Sequence, residues 1–413
     1  FYQTLPMSLS YDKIEEAIAR LKKGSNGEPK RSIDDLPTPS LIVDRKVLAS
    51  NGQKMLDRAK KYNVTLRPHI KTHKTIEGAL YQLYGNDIKN ATTKDFLERS
   101  CIVVSTLGEA EFFIDAGFQD VLYAVPIVPS KCKRLLQYAK NIRRVCFLVD
   151  SREGFEIAKK VAEEEKTTLH LYLDIDPGYH RTGIDTSGDE AVHFAKEIAE
   201  GPSTTLVGVY CHAGHSYHGG NREEIKSVAE DEVKVTASFK DKLIAAGLKV
   251  EAIAIGSTPT CSSDASLKGI NEMHPGNYAF MDVTQAKIGS CEMEACACFV
   301  LARVVSRYRG DNPRLLIDAG ALGLSKDLGP SHLEYKQWGV IQDHPNLKIV
   351  SISQEVGIVE GVDGKLDVEK YPIGTLLRIT PNHSCLTAAC YSKYYIMDEG
   401  CIVDEWKTAP RVW

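Results

Sequence analysis

The chain has 413 residues, 43% of them hydrophobic, which allows a large buried core and is too long for one small domain. Lys and Arg number 51 against 55 Asp and Glu, so the formal net charge of -4 gives no reason to expect nucleic acid or an anionic membrane surface as a partner. No apolar run approaches the length of a membrane span, and none is expected.

The first 38 residues are predicted to form a separate N-terminal segment (1–38) that packs on a β-rich domain. It contains a short helix near Tyr11–Lys23 and a polar linker. FYQTLPMSLS lacks the features of a secretory signal, although the start at Phe1 leaves a removed targeting segment open. The 11 cysteines have no disulfide-framework spacing, which predicts free thiols and a cytoplasmic location.

From about Thr65, short β-rich runs alternate with amphipathic, helix-like stretches. The runs are TLRPH, CIVVS, VLYAV, VCFLV, LHLYLDI, TLVGVYC, VEAIAI and EMH. Alternation of this kind predicts parallel strands with crossover helices, and eight units are what a closed (β/α)8 TIM-type barrel needs. We assign the barrel to residues 39–285.

After about Met281 the strand-like runs continue, but long helical patterns mostly vanish. FVLARVVSRY, RLLIDAG, LKIVSIS, TLLRIT and YYIMD are the clearest of these runs. This texture predicts a C-terminal β-rich domain, assigned to residues 286–413.

Polar or Gly-rich clusters follow most of the predicted barrel strands, where functional residues of such barrels lie. They are RPHIKTHK, STLGEAE, DPGYHRTG, CHAGHSY, GSTPT and HPGNY. Ordinary surface turns explain one or two of these clusters but not all of them. The pattern therefore favours an active site at the barrel mouth.

Lys71 ends the first strand beside Arg67, His69 and His73. Cationic neighbours lower the pKa of a lysine, which leaves a neutral amine able to attack an aldehyde. The alternative is a solvated lysine, and spacing alone favours that alternative for both Lys71 and Lys74.

Two loops have the composition of a phosphate site, namely Gly256–Thr260 and His274–Tyr278. Glycine lets backbone N–H groups approach an anion, and hydroxyls add donors. In these barrels the loops after strands seven and eight often bind phosphate. The alternative is plain turn chemistry, since the same residues dominate turns.

Further candidate active-site residues follow the predicted strands five and six. Arg181 is permanently charged and can donate to a ring nitrogen without yielding its proton, unless it is a salt-bridged surface residue. CHAGHSY supplies His212, His215 and Tyr217. Because alternate residues at a strand end face opposite ways, we favour cofactor packing and acid–base roles over a three-histidine metal site.

Near the C-terminus, PNHSC places His383 and Cys385 two residues apart. On an extended segment these side chains share a face, and imidazole with thiolate suits zinc. Further positions would fall to another residue, water or substrate. The alternative, favoured on spacing alone, is a buried cysteine beside a turn histidine.

RPHIKTHKT, DPGYHRTG, HAGHSY, GSTPT, HPGNY, SQEVG and PNHSC, in this order, resemble the fold-type III pyridoxal-phosphate enzymes, the alanine racemase-like group. Within the group the chain is most similar to eukaryotic D-serine dehydratase and its relative D-threonine aldolase. The resemblance extends from DLPTPSLIVD almost to IVDEW. It implies a barrel with a C-terminal β domain, in a homodimer with active sites near the subunit interface.

The resemblance also implies a Schiff base between Lys71 and pyridoxal phosphate, Arg181 facing the pyridine nitrogen, and zinc as second cofactor. The cofactor-binding residues implied are Lys71, Arg181, Tyr210, His212, Tyr217, Gly256, Ser257, Thr258, Gly276, Asn277 and Tyr278, and the zinc ligands are His383 and Cys385.

The activity implied is a lyase that converts D-serine to pyruvate and ammonia, with zinc activating the β-hydroxyl. His-x-Cys favours the dehydratase, since the aldolase branch typically has His-x-Asp. SQEVG departs from the family's SQEHG at Val356, which puts the exact substrate in doubt. D-Threonine aldolase, 3-hydroxyaspartate dehydratase and a non-catalytic pyridoxal-phosphate carrier stay as alternatives.

Overall fold

The computed structural model describes residues 11–24 and 29–413, and its larger part is an eight-stranded parallel sheet. The strands, in chain order, are Thr65–Leu66, Cys101–Val104, Asp120–Pro126, Arg144–Val149, Leu169–Ile175, Thr204–Cys211, Ala252–Ile255 and Glu272–Met273. Each overlaps one of the eight predicted runs. The first strand pairs with the last, and a bridge between His69 and Val103 joins it to the second, so the barrel is confirmed.

Amphipathic helices surround the sheet. The helices of this part are Arg45–Tyr62, Ile76–Tyr84, Thr93–Arg99, Leu107–Asp115, Pro129–Ala139, Arg152–Glu165, Glu190–Glu200, Arg222–Ala245, Thr258–Ser262 and Val283–Lys287. Arg152–Glu165 is representative, because it buries Phe155, Ala158 and Val161 at helical spacing. Its first turn is capped by Ser151, whose side chain accepts from the N–H of Gly154.

A buried ion-pair network occupies the amino ends of the barrel strands. The Arg67 guanidinium donates to Asp120 Oδ1 at 2.7 Å and to Glu272 Oε2 at 3.0 Å, and Tyr172 also contacts Glu272. These charges compensate one another, as buried charges must. Arg67 is therefore directed away from Lys71, although the two are close in sequence.

The second sheet confirms the predicted β-rich domain. Its strands after the barrel are Cys298–Tyr308, Arg314–Ile317, Val340–Ile341, Leu347–Ile352, Gly357–Gly361, Leu376–Thr380, Lys393–Asp398 and Cys401–Lys407. Ser40–Asp44 also belongs to this sheet, pairing antiparallel with Cys298–Tyr308 and parallel with Lys393–Asp398. The α-helices Ala321–Leu324 and Ser384–Ala388 are short. The limits 39–285 and 286–413 stay a prediction.

The N-terminal segment contacts both domains. Helix Asp12–Lys23, as predicted, buries its apolar face, and Arg20 forms ion pairs with Glu77 of the barrel and Asp404 of the β-rich domain. Arg31–Ser32 pairs with the strand Cys401–Lys407. Residues 1–10, where a secretory signal was considered, lie outside the described residues, as does part of the linker. Within the described ranges, no helix is long and apolar enough to span a bilayer.

Candidate active site

A cavity of about 680 Å³ lies at the carboxyl ends of the barrel strands and extends to helix Ser384–Ala388. The predicted site residues that line it are Lys71, Arg181, Tyr210, His212, Tyr217, Gly256, Thr258, Gly276, Asn277, His383 and Cys385. Ser257 and Tyr278 lie behind this wall. The Ser257 hydroxyl bonds those of Ser216 and Thr260, and the Tyr278 N–H donates to Thr258 Oγ1.

The two lysines of RPHIKTHK have different surroundings. Lys74 forms an ion pair with the buried carboxylate of Glu109, which also accepts the N–H of Ser105 at 2.7 Å. Burial, reinforced by Arg181 and opposed by Cys385, lowers the pKa of the Lys71 amine. Because a neutral amine is the nucleophile, the structure favours Lys71 over Lys74 for attack on an aldehyde.

The sequence neighbours of Lys71 contribute less than expected. His73 points into the helical layer, where its Nε2 bonds Gln82 Oε1 at 2.9 Å and burial lowers its pKa to about 4. His69 lines the cavity and accepts the backbone N–H of Lys71 on Nδ1 at 3.3 Å. The pKa of Lys71 is thus lowered mainly by burial and by the distant Arg181, and Lys74 is the sequence neighbour that adds to the shift.

The two Gly-containing loops meet at the cavity floor, where their glycines allow close packing. A Cβ on Gly256 would lie 2.2 Å from the His274 ring, and one on Gly276 would lie 2.7 Å from the His69 carbonyl oxygen. The His274 ring stacks on Tyr210 with centroids 3.9 Å apart. The floor of the cavity therefore combines stacked aromatic rings with loop backbone that no side chain covers at Gly256 and Gly276, which fits a planar ring carrying a phosphate.

Glu232, which the sequence analysis missed, lies beneath these loops. It accepts the N–H of Ala213 at 3.0 Å. Burial raises its pKa to about 7, although hydrogen bonds from Thr260, Ala213 and Gly256 oppose the shift. Glu232 therefore ties the loop after strand six to the loop after strand seven. Its one sequence signal is an acidic residue on the apolar face of helix Arg222–Ala245.

Arg181 also lines the cavity, beside Tyr179. Its guanidinium carbon is 5.4 Å from the centroid of the Tyr179 ring. Asp174 lines the cavity nearby, and burial raises the pKa of its carboxyl to about 7. The cavity therefore presents a permanent cation together with a nearby carboxyl that is partly protonated near neutral pH.

His383 and Cys385 face the same cavity as Lys71. The Cys385 sulfur is 3.1 Å from Thr72 Oγ1 and 3.4 Å from Asn277 Nδ2. Burial alone would raise the pKa of this thiol, but the hydrogen bond and charge of His383 lower it to about 7. His383 Nδ1 bonds Asp327 Oδ2 at 2.9 Å, which leaves Nε2 as the nitrogen for a ligand.

These donors fit a zinc ion with open positions. A thiolate, an imidazole and a carboxylate that orients the imidazole are the groups that zinc sites use. Over residues 11–24 and 29–413, no group of three or more His, Cys, Asp or Glu side chains converges on one point. Water or substrate would take the remaining positions of such an ion.

Val356, where the family motif has histidine, lies in a tight turn in which the Ser353 N–H donates to the Val356 carbonyl at 2.8 Å. It is not among the residues that line the cavity.

Comparison with known proteins gives the family. The alanine racemase N-terminal domain matches residues 43–283, and the serine dehydratase domain matches residues 297–397. D-serine dehydratase of Dictyostelium discoideum is 39% identical over 382 residues, which are 89% of this chain and 94% of that one. The chain belongs to the D-serine dehydratase family.

Solved relatives share the whole architecture of this family. D-threo-3-hydroxyaspartate dehydratase from Delftia sp. is 30% identical with a TM-score of 0.84, covering 93% of this chain and 100% of that one. A cysteine-to-alanine variant of that dehydratase is described as being in the metal-free form. D-threonine aldolase from Filomicrobium marinum is 26% identical with a TM-score of 0.79, covering 93% and 98%. The family thus comprises dehydratases and aldolases, which are lyases.

Proposed function

We propose that the chain is a pyridoxal-phosphate- and zinc-dependent D-serine dehydratase that forms pyruvate and ammonia. One observation carries the proposal: the Lys71 amine, with its lowered pKa, lines the same cavity as the His383/Cys385 pair. An amine for the carbonyl cofactor and a thiolate–imidazole pair for a metal meet where one small substrate can contact both.

Lys71 has two tasks in this reaction. As a neutral amine it holds the cofactor, and once released it accepts the proton from Cα of the substrate. The lowered pKa keeps the amine unprotonated for a larger fraction of the time. When bound, pyridoxal phosphate supplies an electron sink for Cα and zinc supplies a Lewis acid for the β-hydroxyl.

Other side chains hold these groups in place. Thr72 and Asn277 hydrogen-bond the Cys385 sulfur, and Asp327 fixes the His383 ring. We assign the cofactor phosphate to the loops at Gly256–Thr258 and Gly276–Tyr278, and the pyridine nitrogen to Arg181. Glu232 keeps the loop backbones together from below.

Two alternatives use the same groups. The 30% identity to D-threo-3-hydroxyaspartate dehydratase favours a substrate with a second carboxylate as the stronger alternative. Retro-aldol cleavage needs the β-hydroxyl deprotonated rather than expelled, which the same metal can assist. A non-catalytic pyridoxal-phosphate carrier would need neither the β-rich domain nor the His383/Cys385 pair, so both features argue against that alternative.

We further propose a homodimer in the cytoplasm. Leu322, Leu328 and Leu386 are 56%, 44% and 47% exposed, and Leu386 lies at the cavity, so a second copy would cover apolar surface beside the active site. All 11 cysteines are free, which suits a reducing compartment.

The test is incubation of the holoenzyme with D-serine, D-threonine and D-threo-3-hydroxyaspartate, with and without zinc, followed by product identification. Pyruvate from D-serine as the fastest product supports the proposal. Glycine and acetaldehyde from D-threonine would make the chain an aldolase. Chelation should stop dehydration while the cofactor stays bound, and full D-serine turnover without any metal would exclude the proposed role of zinc.

A further inference from the structure

The residues at 408–413 form an arm that folds back onto the mouth of the cavity. The Ala409 N–H donates to the carbonyl of Lys74 at 2.7 Å, and the Gly108 N–H donates to the carbonyl of Val412 at 2.9 Å. A Cβ on Gly108 would lie 2.2 Å from the Pro410 oxygen, so only glycine permits this approach. Arg411 is therefore held by backbone bonds on both sides, and it lines the cavity.

Arg411 differs from the other cations of the cavity. Among the described residues, the Lys and Arg side chains that line it are Lys71, Lys74, Arg181 and Arg411. Lys74 is neutralised by Glu109, and the proposed function uses Lys71 and Arg181 for the cofactor. Within the part of the chain that the structure describes, Arg411 has no carboxylate within ion-pair distance. The Arg411 side chain is exposed where it lines the cavity. Because its backbone is held in place and its guanidinium has no counter-ion, its N–H donors are available to an anionic ligand that enters the cavity.

The carboxyl groups of the cavity do not supply that counter-ion. Glu109 is engaged by Lys74 and by the Ser105 N–H, and Asp174 is buried and interacts with Arg181. An amino-acid substrate always brings a carboxylate, and the amine and metal groups do not neutralise it.

We propose that Arg411 is the residue that binds a carboxylate of the substrate, delivered to the active site by the arm at residues 408–413. The inference rests on the proposed function, because it assumes an amino-acid substrate. Two carboxylates qualify, the α-carboxylate of every amino acid and the second carboxylate of a 3-hydroxyaspartate. The guanidinium recognises either by the same paired N–H donors.

The experiment compares Arg411→Gln with Arg411→Lys and with Lys407→Gln, which removes an exposed cation outside the cavity. The affinity of each holoenzyme for D-alanine is measured by calorimetry. The affinities for D-serine, D-serinamide and D-threo-3-hydroxyaspartate are measured by calorimetry on the zinc-depleted enzyme, in which the dehydration is stopped, and KM and kcat are measured on the zinc-loaded enzyme. Arg411→Gln should weaken the binding of D-serine and D-alanine by about 10- to 100-fold and leave the binding of D-serinamide unchanged. KM should rise by a larger factor than kcat falls. Arg411→Lys should recover part of the loss.

A loss confined to 3-hydroxyaspartate assigns Arg411 to the second carboxylate, whereas an equal loss for all the acids assigns it to the α-carboxylate. Gly108→Ala, which displaces the arm without altering a cavity side chain, should reproduce the selective loss. The proposal is overturned if Arg411→Gln binds all three acids within twofold of the parent chain, or if the substitution weakens the binding of the acids and of the carboxamide equally. Because D-alanine has no β-hydroxyl, its binding reports on Arg411 even if D-serine proves not to be a substrate.

Discussion

At the scale of single residues, Lys71 and Lys74 differ clearly in their surroundings, because Lys74 forms an ion pair and the Lys71 amine has a lowered pKa. Lys71→Ala should abolish covalent attachment of pyridoxal phosphate, because no other amine of the motif is free of an ion pair. Borohydride reduction of the holoenzyme followed by peptide mass spectrometry measures the attachment. Lys74→Gln is the matched control and should keep the label on Lys71. A label that persists in Lys71→Ala would show that Lys71 is misassigned.

The metal pair permits a similar comparison among cysteines. Cys385→Ala and His383→Ala should each lose zinc, since each removes one of the two protein ligands proposed. Asp327→Asn should lower the affinity for zinc by about 10- to 100-fold, because Asp327 orients the His383 ring. Atomic absorption after dialysis against a weak chelator measures retention. Cys390→Ala, five residues further on, should retain zinc, and a stoichiometric ion in Cys385→Ala would refute the assignment.

Glu232 gives a pH dependence of stability. Burial raises the pKa of its carboxyl from 4.5 to about 7, so the fold favours the protonated form. Its contribution to stability is full below the unfolded pKa and is lost as the pH rises through the folded one. Relative to the parent chain, Glu232→Gln should gain up to about 3 kcal/mol in free energy of unfolding between about pH 5 and pH 8.

Urea unfolding at several pH values measures this change. Glu230 is an exposed neighbour on the same helix. The free energy of unfolding of Glu230→Gln should therefore change with pH in the same way as that of the parent chain. If the free energy of unfolding of Glu232→Gln also followed that of the parent chain at every pH, the Glu232 carboxyl would not titrate in this range.

At the scale of elements, the end of helix Arg152–Glu165 departs from the local rule that favours glycine after the last helical turn. Helix Arg152–Glu165 ends at Lys166, an exposed non-glycine residue with φ 49°, in the left-handed region that glycine prefers. Lys166→Gly should therefore raise the free energy of unfolding by up to about 1 kcal/mol. Lys160→Gly, inside the same helix, should instead lower it by about 1 kcal/mol, and denaturant melts of both variants test the pair.

At the scale of the whole molecule, the proposed dimer makes the last prediction. Leu322→Glu places a charge on the apolar surface beside the cavity and should produce monomers in size-exclusion chromatography with light scattering. Ile373→Glu is the matched control. Ile373 is 66% exposed and precedes the strand Leu376–Thr380, whereas His383 of the cavity follows the other end of that strand. It should leave the dimer intact. A parent chain that elutes as a monomer would contradict the proposal.

The sequence determined the order and type of the elements. Strand and helix periodicities are local signals, so the eight barrel strands, the amphipathic helices and the β-rich domain were all predicted. The motif-bearing loops were predicted as well, because the carboxyl ends of parallel strands meet at one face of a barrel. Most of the candidate site residues do line one cavity.

Tertiary structure alone decided which of these residues act together. Thr72 and Cys385 are 313 residues apart in sequence, yet their side chains are in contact. The choice of Lys71 over Lys74 depends on Glu109, and the places of Glu232 and Arg411 depend on a buried helix face and a returning arm. Contacts of this kind are set by packing and charge compensation across the folded chain, and no local pattern encodes them.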